Sequence, residues 1–216
     1  MEVSIRTPLT YEKIKNLRAG DRILLSGTIY AARDAAHKRL IELLDKNLDL
    51  PININNETIY YVGPSPAKEG QVIGSAGPTT SYRMDSYSPR LLDLGLKGMI
   101  GKGARNQEVI DSIIKNKAIY LGAIGGAAAL ISKSITKSEI IAYEDLGAEA
   151  IRKMEIKDMP LIVIIDTEGN NLYKQGQEQY LKTVIKEWNR NEKIKGWKRF
   201  WVNLPRKQCV SRLWLK

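Results

Sequence analysis

Short apolar runs of strand length alternate along this chain with stretches of helical spacing, and that alternation constrains the fold more than any other feature. RILLSGTIY (22–30) reads as a buried strand. In DAAHKRLIELLDK (34–46), Ala36, Leu40, Leu43 and Leu44 fall on one helical face. TIYYV (58–62) and QVIGS (71–75) read as short strands around the turn-rich GPSPAKEG. SPRLLDLG (88–95) reads as a helix closed by glycine, GMIGKG (98–103) as a strand entering a tight loop, and NQEVIDSIIKN (106–116) as an amphipathic helix. AIYLGAI (118–124), IIAYED (140–145) and PLIVIID (160–166) supply further strands. GGAAALISKS (125–134) reads as a helix rich in small residues, and 177–190 as a last helix. Several strands follow one another with no helix between them. The expected class is therefore α/β with mixed sheets and a helical layer, not an all-parallel sheet.

The chain has 216 residues, 43% hydrophobic and 27% charged, enough for one domain or one domain with an appendage. No apolar run reaches the roughly 18 residues of a membrane helix. The N-terminal MEVSIRTPLTYEKIKN lacks an apolar signal core, so a cytoplasmic location with no membrane partner is expected. The net charge of +10 is localised: residues 174–216 carry 12 Lys and Arg against 3 Asp and Glu, together with all four tryptophans. A basic, aromatic stretch suits nucleic acid, but no recognised binding fold accompanies it. A tail that packs on a partner, or one not original to the fold, accounts for it as well. We divide the chain into a domain, 1–175, and a basic, Trp-containing extension, 176–216.

Cys209 is the single cysteine and His37 the single histidine. One thiol excludes an internal disulfide framework and falls short of the three or four thiolates of an iron–sulfur cluster. Any Cys/His metal centre would need ligands from another chain, so no metal is expected on this one.

Four motifs could carry chemistry. In SGTIYAARDAAHKR, Arg33 sits where a strand hands over to a helix and can offer a planar fork to a carboxylate or phosphate. His37 shares its helical face, either as a group titrating near neutrality or as a helix histidine satisfied inside the fold. In VIGSAGPTTSYRMD, Pro78 suits a first helical turn, where Thr79, Thr80 and Ser81 place hydroxyls near unpaired N–H groups and Arg83 follows on the same face. The alternative is a capped helix with an Arg83–Asp85 surface pair. In GMIGKGA, Lys102 lies between two glycines that leave room for close approach to a ligand; a surface turn is the plainer explanation, and the P-loop spacing is absent. In GAIGGAAAL (122–130) no dinucleotide pattern fits, and close helix–sheet packing explains the small residues. Arg33, Arg83 and Lys102 at strand ends describe a site for a small polyanion and name no reaction.

Taken in order, SGTIYAARDAAHKR, VIGSAGPTTSYRMD, MIGKGA, IGGAAALISKSI and AYEDLGAEAIRKMEIKDMPLIVIIDTEGNNLY resemble the β part of class I fumarases and tartrate dehydratases, across about residues 5–173. The resemblance implies a swivelling β/β/α domain of a hydro-lyase that adds water reversibly to a dicarboxylate double bond. It implies an α subunit whose cysteines hold a [4Fe–4S] cluster with one iron open to substrate, in a heterodimer or higher heteromer. On that pattern Arg33, Thr79, Arg83 and Lys102 bind substrate, and Thr79, Arg83 and Lys102 serve catalysis. Asp34, His37, Thr80 and Ser81 stand behind them, His37 orienting Arg33. Ala104 departs from the family, where a further glycine is common. Fumarate/malate is the expected substrate pair and tartrate the alternative. A non-catalytic anion- or nucleic-acid-binding module is the competing class, and nucleic acid is not the expected partner.

Overall fold

The computed structural model describes residues 2–123 and 128–190. The chain divides into two units, Met1–Tyr173 and Lys174–Lys216. Among its described residues the first unit has seven strands: β1 (Glu2–Arg6), β2 (Arg22–Ala31), β3 (Thr58–Tyr60), β4 (Gly98–Gly101), β5 (Ile119–Gly122), β6 (Ile135–Ala142) and β7 (Ile151–Ile165). Its helices are α1 (Tyr11–Ile14), α2 (Asp34–Asp45), α3 (Ser88–Asp93), α4 (Gln107–Asn116) and α5 (Ala128–Lys133).

Strands β2 to β5 run parallel, and α2, α3 and α4 make the crossovers that parallel pairing demands. β7 then runs antiparallel to β2, β5 and β6. Its pairing with both β2 and β5 closes the strands β2–β3–β4–β5–β7 into a ring. β1 continues along the edge of β2 that β3 also uses. Because side chains alternate across a strand, the ring sorts its apolar residues into two cores. Leu25, Ile29, Tyr60, Ile100, Leu121 and Val163 face inward, between its walls. Ile59, Met99, Tyr120 and Ile164 face outward, against Leu40 of α2, Leu91 of α3 and Val109 and Ile113 of α4. Wall, wall and helices make the β/β/α layering that the resemblance implies.

Local chemistry sets the element ends. The Asn106 side chain accepts the Val109 N–H at 2.8 Å and starts α4. Lys117 ends it in the left-handed region, at φ 50°. In β2 a bulge between Leu25 and Gly27 bends the strand. A Cβ at Gly27 would lie 2.4 Å from the Thr7 hydroxyl, so only glycine fits there.

The structure departs from the expected elements at several places. QVIGS (71–75) is irregular chain, not a strand. Residues 2–6 form β1, which composition did not signal. The last strand begins at Ile151, well before PLIVIID. The residues after Pro78 form no α-helix: Thr80 is extended and Ser81–Met84 is a 3-10 turn. α6 (Leu172–Arg190) begins ahead of the expected 177. Cys209, Trp197, Trp201 and Trp214 lie outside the described residues, as do Gly125 and Gly126.

Candidate functional site

Parallel strands present their C-terminal ends on one side of the sheet, where α/β folds commonly place ligands. Arg33 lies just past the end of β2 and Lys102 just past the end of β4. Between them Thr79 is tied to the end of β3, its N–H donating to the Tyr61 carbonyl at 2.7 Å. Thr80 and Lys102 form a parallel bridge. In that bridge Ser81 N–H donates to the Lys102 carbonyl at 2.9 Å, and Lys102 N–H to the Thr79 carbonyl at 3.3 Å.

Asp34 joins the two arginines. One oxygen lies 3.2 Å from Arg33 Nε and the other 3.2 Å from Arg83 Nε. Arg33 is held again by Glu149, whose Oε1 is 3.3 Å from Nη2. The other Glu149 oxygen accepts the Ala35 N–H at 2.9 Å, capping α2, which gets no side-chain cap from Arg33 just before it. Gly63 makes room for this arrangement, since a Cβ there would meet Arg33 Nη1 at 2.8 Å. Arg83 and Lys102 are exposed and Thr79 and Arg33 half-buried. Among the described residues Lys102 has no ion-pair partner. A cavity of about 300 Å³ nearby, lined by Pro64, Ser65, Val72, Ile73, Ala148 and Arg152, includes none of the four motif residues.

His37 is fully buried on α2. Its main-chain N–H and its Nδ1 both lie on the Arg33 carbonyl, at 2.8 and 2.9 Å. Burial pushes the imidazole down to about 4, against the pull of that carbonyl. The ring is neutral at pH 7, Nδ1–H donates to Arg33, and His37 fixes the main chain from which the Arg33 fork extends.

The glycines beside Lys102 answer to packing. A Cβ at Gly101 would lie 2.0 Å from Ser81 Oγ, and Gly103 has φ 86°. Asp85 pairs with Arg105, not with Arg83: Arg105 Nε donates to Asp85 Oδ1 at 2.6 Å with both side chains buried. The other Asp85 oxygen accepts the Asn106 N–H at 2.7 Å, and Arg105 Nη2 donates to Ser88 at 2.7 Å. The Arg105 guanidinium lies 5.5 Å from the Tyr61 ring centroid and 5.1 Å from that of Tyr120. Sequence reasoning missed Glu149, Arg105 and Tyr120. Glu149 is 114 residues from Ala35, and no local spacing signals so distant a partner.

Among the described residues no three His, Cys, Asp or Glu side chains are placed to hold a metal, and no helix is long and apolar enough to cross a membrane. Guanidinium forks, an ammonium and a hydroxyl are groups that suit a compact anion.

Residues 1–176 match the family model described as Fumarase C-terminus. Among curated proteins, the chain is 39% identical to a class I aerobic fumarate hydratase of Salmonella typhimurium, over 82% of this chain and 31% of that protein. It is 44% identical to a class I aerobic fumarate hydratase of Escherichia coli K12, over 72% of this chain and 29% of that one. A protein of Methanocaldococcus jannaschii named "Putative L(+)-tartrate dehydratase subunit beta" is 36% identical, over 77% of this chain and 89% of its own length. The chain thus spans about a third of the fumarate hydratases and most of the separate β subunit.

Proposed function

This chain belongs to the fumarase C-terminus family, and from that membership we propose that it is the β subunit of an iron–sulfur hydro-lyase that reversibly hydrates fumarate to malate in a site shared with an α subunit. The sequence holds a single cysteine, short of the thiolates a cluster takes, so a [4Fe–4S] group would come with the α partner. Bound there, it would supply an electrophilic metal centre. The reading assigns this chain's own groups to substrate. Arg33, Arg83 and Lys102 hold the carboxylates and stabilise the charge that develops on one of them when the neighbouring C–H proton leaves. The Thr79 hydroxyl stands at the reacting carbon. An unassisted hydroxyl is a poor base, so a group of the α partner has to draw its proton.

The observation that carries this reading is the junction at Asp34. It joins Arg33 and Arg83, from separate segments, on the side of the sheet where Thr80 pairs with Lys102. Tartrate dehydration is the second reading, favoured by the near full-length match to the Methanocaldococcus jannaschii protein. Anaerobic assays of the chain with and without a cluster-bearing α partner, on fumarate, malate, mesaconate and tartrate, test both. The pair turns over fumarate and malate faster than tartrate, and the chain alone binds no cluster and shows no turnover. A partner-free sample with a stoichiometric cluster and activity overturns the half-enzyme reading; a preference for tartrate selects the second substrate.

A further inference from the structure

The loop bearing Lys102 and the segment bearing Thr79 and Arg83 meet over the side chain of Tyr120, which rises from β5 beneath both and is fully buried. The Tyr120 hydroxyl donates to the Gly103 carbonyl at 2.9 Å. Its one hydrogen is thereby used, so the Ser81 hydroxyl, 2.9 Å away, donates to it. A single phenol oxygen therefore connects the residue after Lys102 to a residue between Thr79 and Arg83. Among the described residues the other hydrogen bonds between these segments are the two main-chain bonds of the Thr80–Lys102 bridge, of which the Lys102 N–H bond is long at 3.3 Å, and the contacts of Arg105 and Asn106 with Asp85 and Ser88 farther along. Gly101 permits the approach, because any side chain there would occupy the place of Ser81 Oγ. Burial pushes the Tyr120 phenol up, so it keeps its proton across the working range.

We propose that Tyr120 is a positioning residue, whose hydroxyl sets the Lys102 loop against the Thr79–Arg83 segment and so fixes the spacing of the anion-binding groups. The consequence for turnover rests on the hydro-lyase reading; the mechanical role does not. Small displacements of positioned groups cost rate steeply, on the order of a hundredfold per ångström, whereas removing a hydroxyl from an otherwise retained ring changes the packing little.

Tyr120→Phe tests this in the full-length chain, alone and assembled with its α partner. In the chain alone, amide exchange at Lys102 and Ser81 quickens by roughly tenfold, the worth of about one hydrogen bond, while exchange in α4 is unchanged. In the assembled enzyme kcat falls by about tenfold or more with KM within roughly twofold, and Ser81→Ala produces the same split in weaker form. Unchanged exchange at both amides overturns the clamp. Faster exchange with wild-type kinetics overturns the positioning role. An assembled wild type inactive on every dicarboxylate defeats the hydro-lyase reading instead, and the exchange experiment still decides whether the hydroxyl holds the two segments together. If Tyr120→Phe unfolds the chain, Ser81→Ala gives the same exchange readout, and unchanged exchange at Lys102 in that variant overturns the clamp.

Discussion

His37 is the only histidine, so its ionisation can be followed without interference from another imidazole. The folded chain holds it at about 4, below its unfolded value of 6.5. Between those values the unfolded chain binds the extra proton, so stability is full above 6.5 and is lost as pH falls. The loss reaches about 2 kcal/mol at pH 5, above the range in which ordinary carboxylates titrate. Urea denaturation at pH 7 and pH 5 should show that difference in wild type, and His37→Gln should remove most of it. Equal differences in the two proteins would place the proton uptake elsewhere. At Arg83 the side chain is 39% exposed and only one guanidinium nitrogen lies on Asp34, so the fork remains available to a substrate carboxylate. Arg83→Lys in the assembled enzyme should raise the barrier by on the order of 2–4 kcal/mol, because a point charge does not reproduce a bidentate fork. Wild-type kinetics would leave Arg83 a surface partner of Asp34. Arg33, Arg83 and Lys102 stand out in the sequence as cations at expected strand ends, and the resemblance adds Thr79 to them. Glu149 could not, since its carboxylate reaches Arg33 only through the closed sheet.

Among the elements, α2 and α4 were legible because one apolar face repeats at helical spacing, and Asn106 marks the start of α4 with its own side chain. β7 was legible only in its buried half. Its first half, IRKMEIK, places charged residues between apolar ones, and the strand pattern was overlooked there. QVIGS shows the reverse failure: β-branched residues gave it a strand look, yet it lies in the long irregular connection between β3 and α3. Asp85 drew an expected pairing with Arg83, which is nearer in sequence than its buried partner Arg105. The buried pair joins the turn Ser81–Met84 to the start of α4 through Asn106. Asp85→Asn keeps the acceptor for the Asn106 N–H and removes the countercharge, leaving the Arg105 guanidinium buried. A loss of about 3–5 kcal/mol is expected. Asp85→Asn with Arg105→Met should lose less than Asp85→Asn alone, because no charge is then stranded. Chemical denaturation of the two variants checks this, and a double variant weaker than the single would mean that Arg105 works through packing, not charge.

For the whole chain, the basic extension is the feature that neither the fold nor the family match explains. The family model ends at residue 176, and the described members of both apolar cores come from residues 3–172. The ring closes through β7, which ends at Ile165, and the motif residues all precede it. Residues 191–216 lie beyond the family match and carry most of the tryptophans and a dense share of the positive charge. Deleting 191–216 should therefore leave the melting temperature of the body within a few degrees, a shift that corresponds to about 1 kcal/mol or less. It should also leave capture of the α partner intact. Any affinity of the full chain for DNA or RNA should disappear with the deletion and should weaken steeply with salt beforehand, since counterion release accompanies each phosphate contact. Thermal melting, α-chain pull-down and a salt-titrated shift assay read these outcomes separately. Unfolding of the truncated chain would put the tryptophans in the core and move the domain boundary to the C-terminus. Tight, sequence-selective nucleic-acid binding at physiological salt would make the extension a functional module and rank the binding reading above the enzymatic one, because electrostatic attraction alone carries no sequence preference.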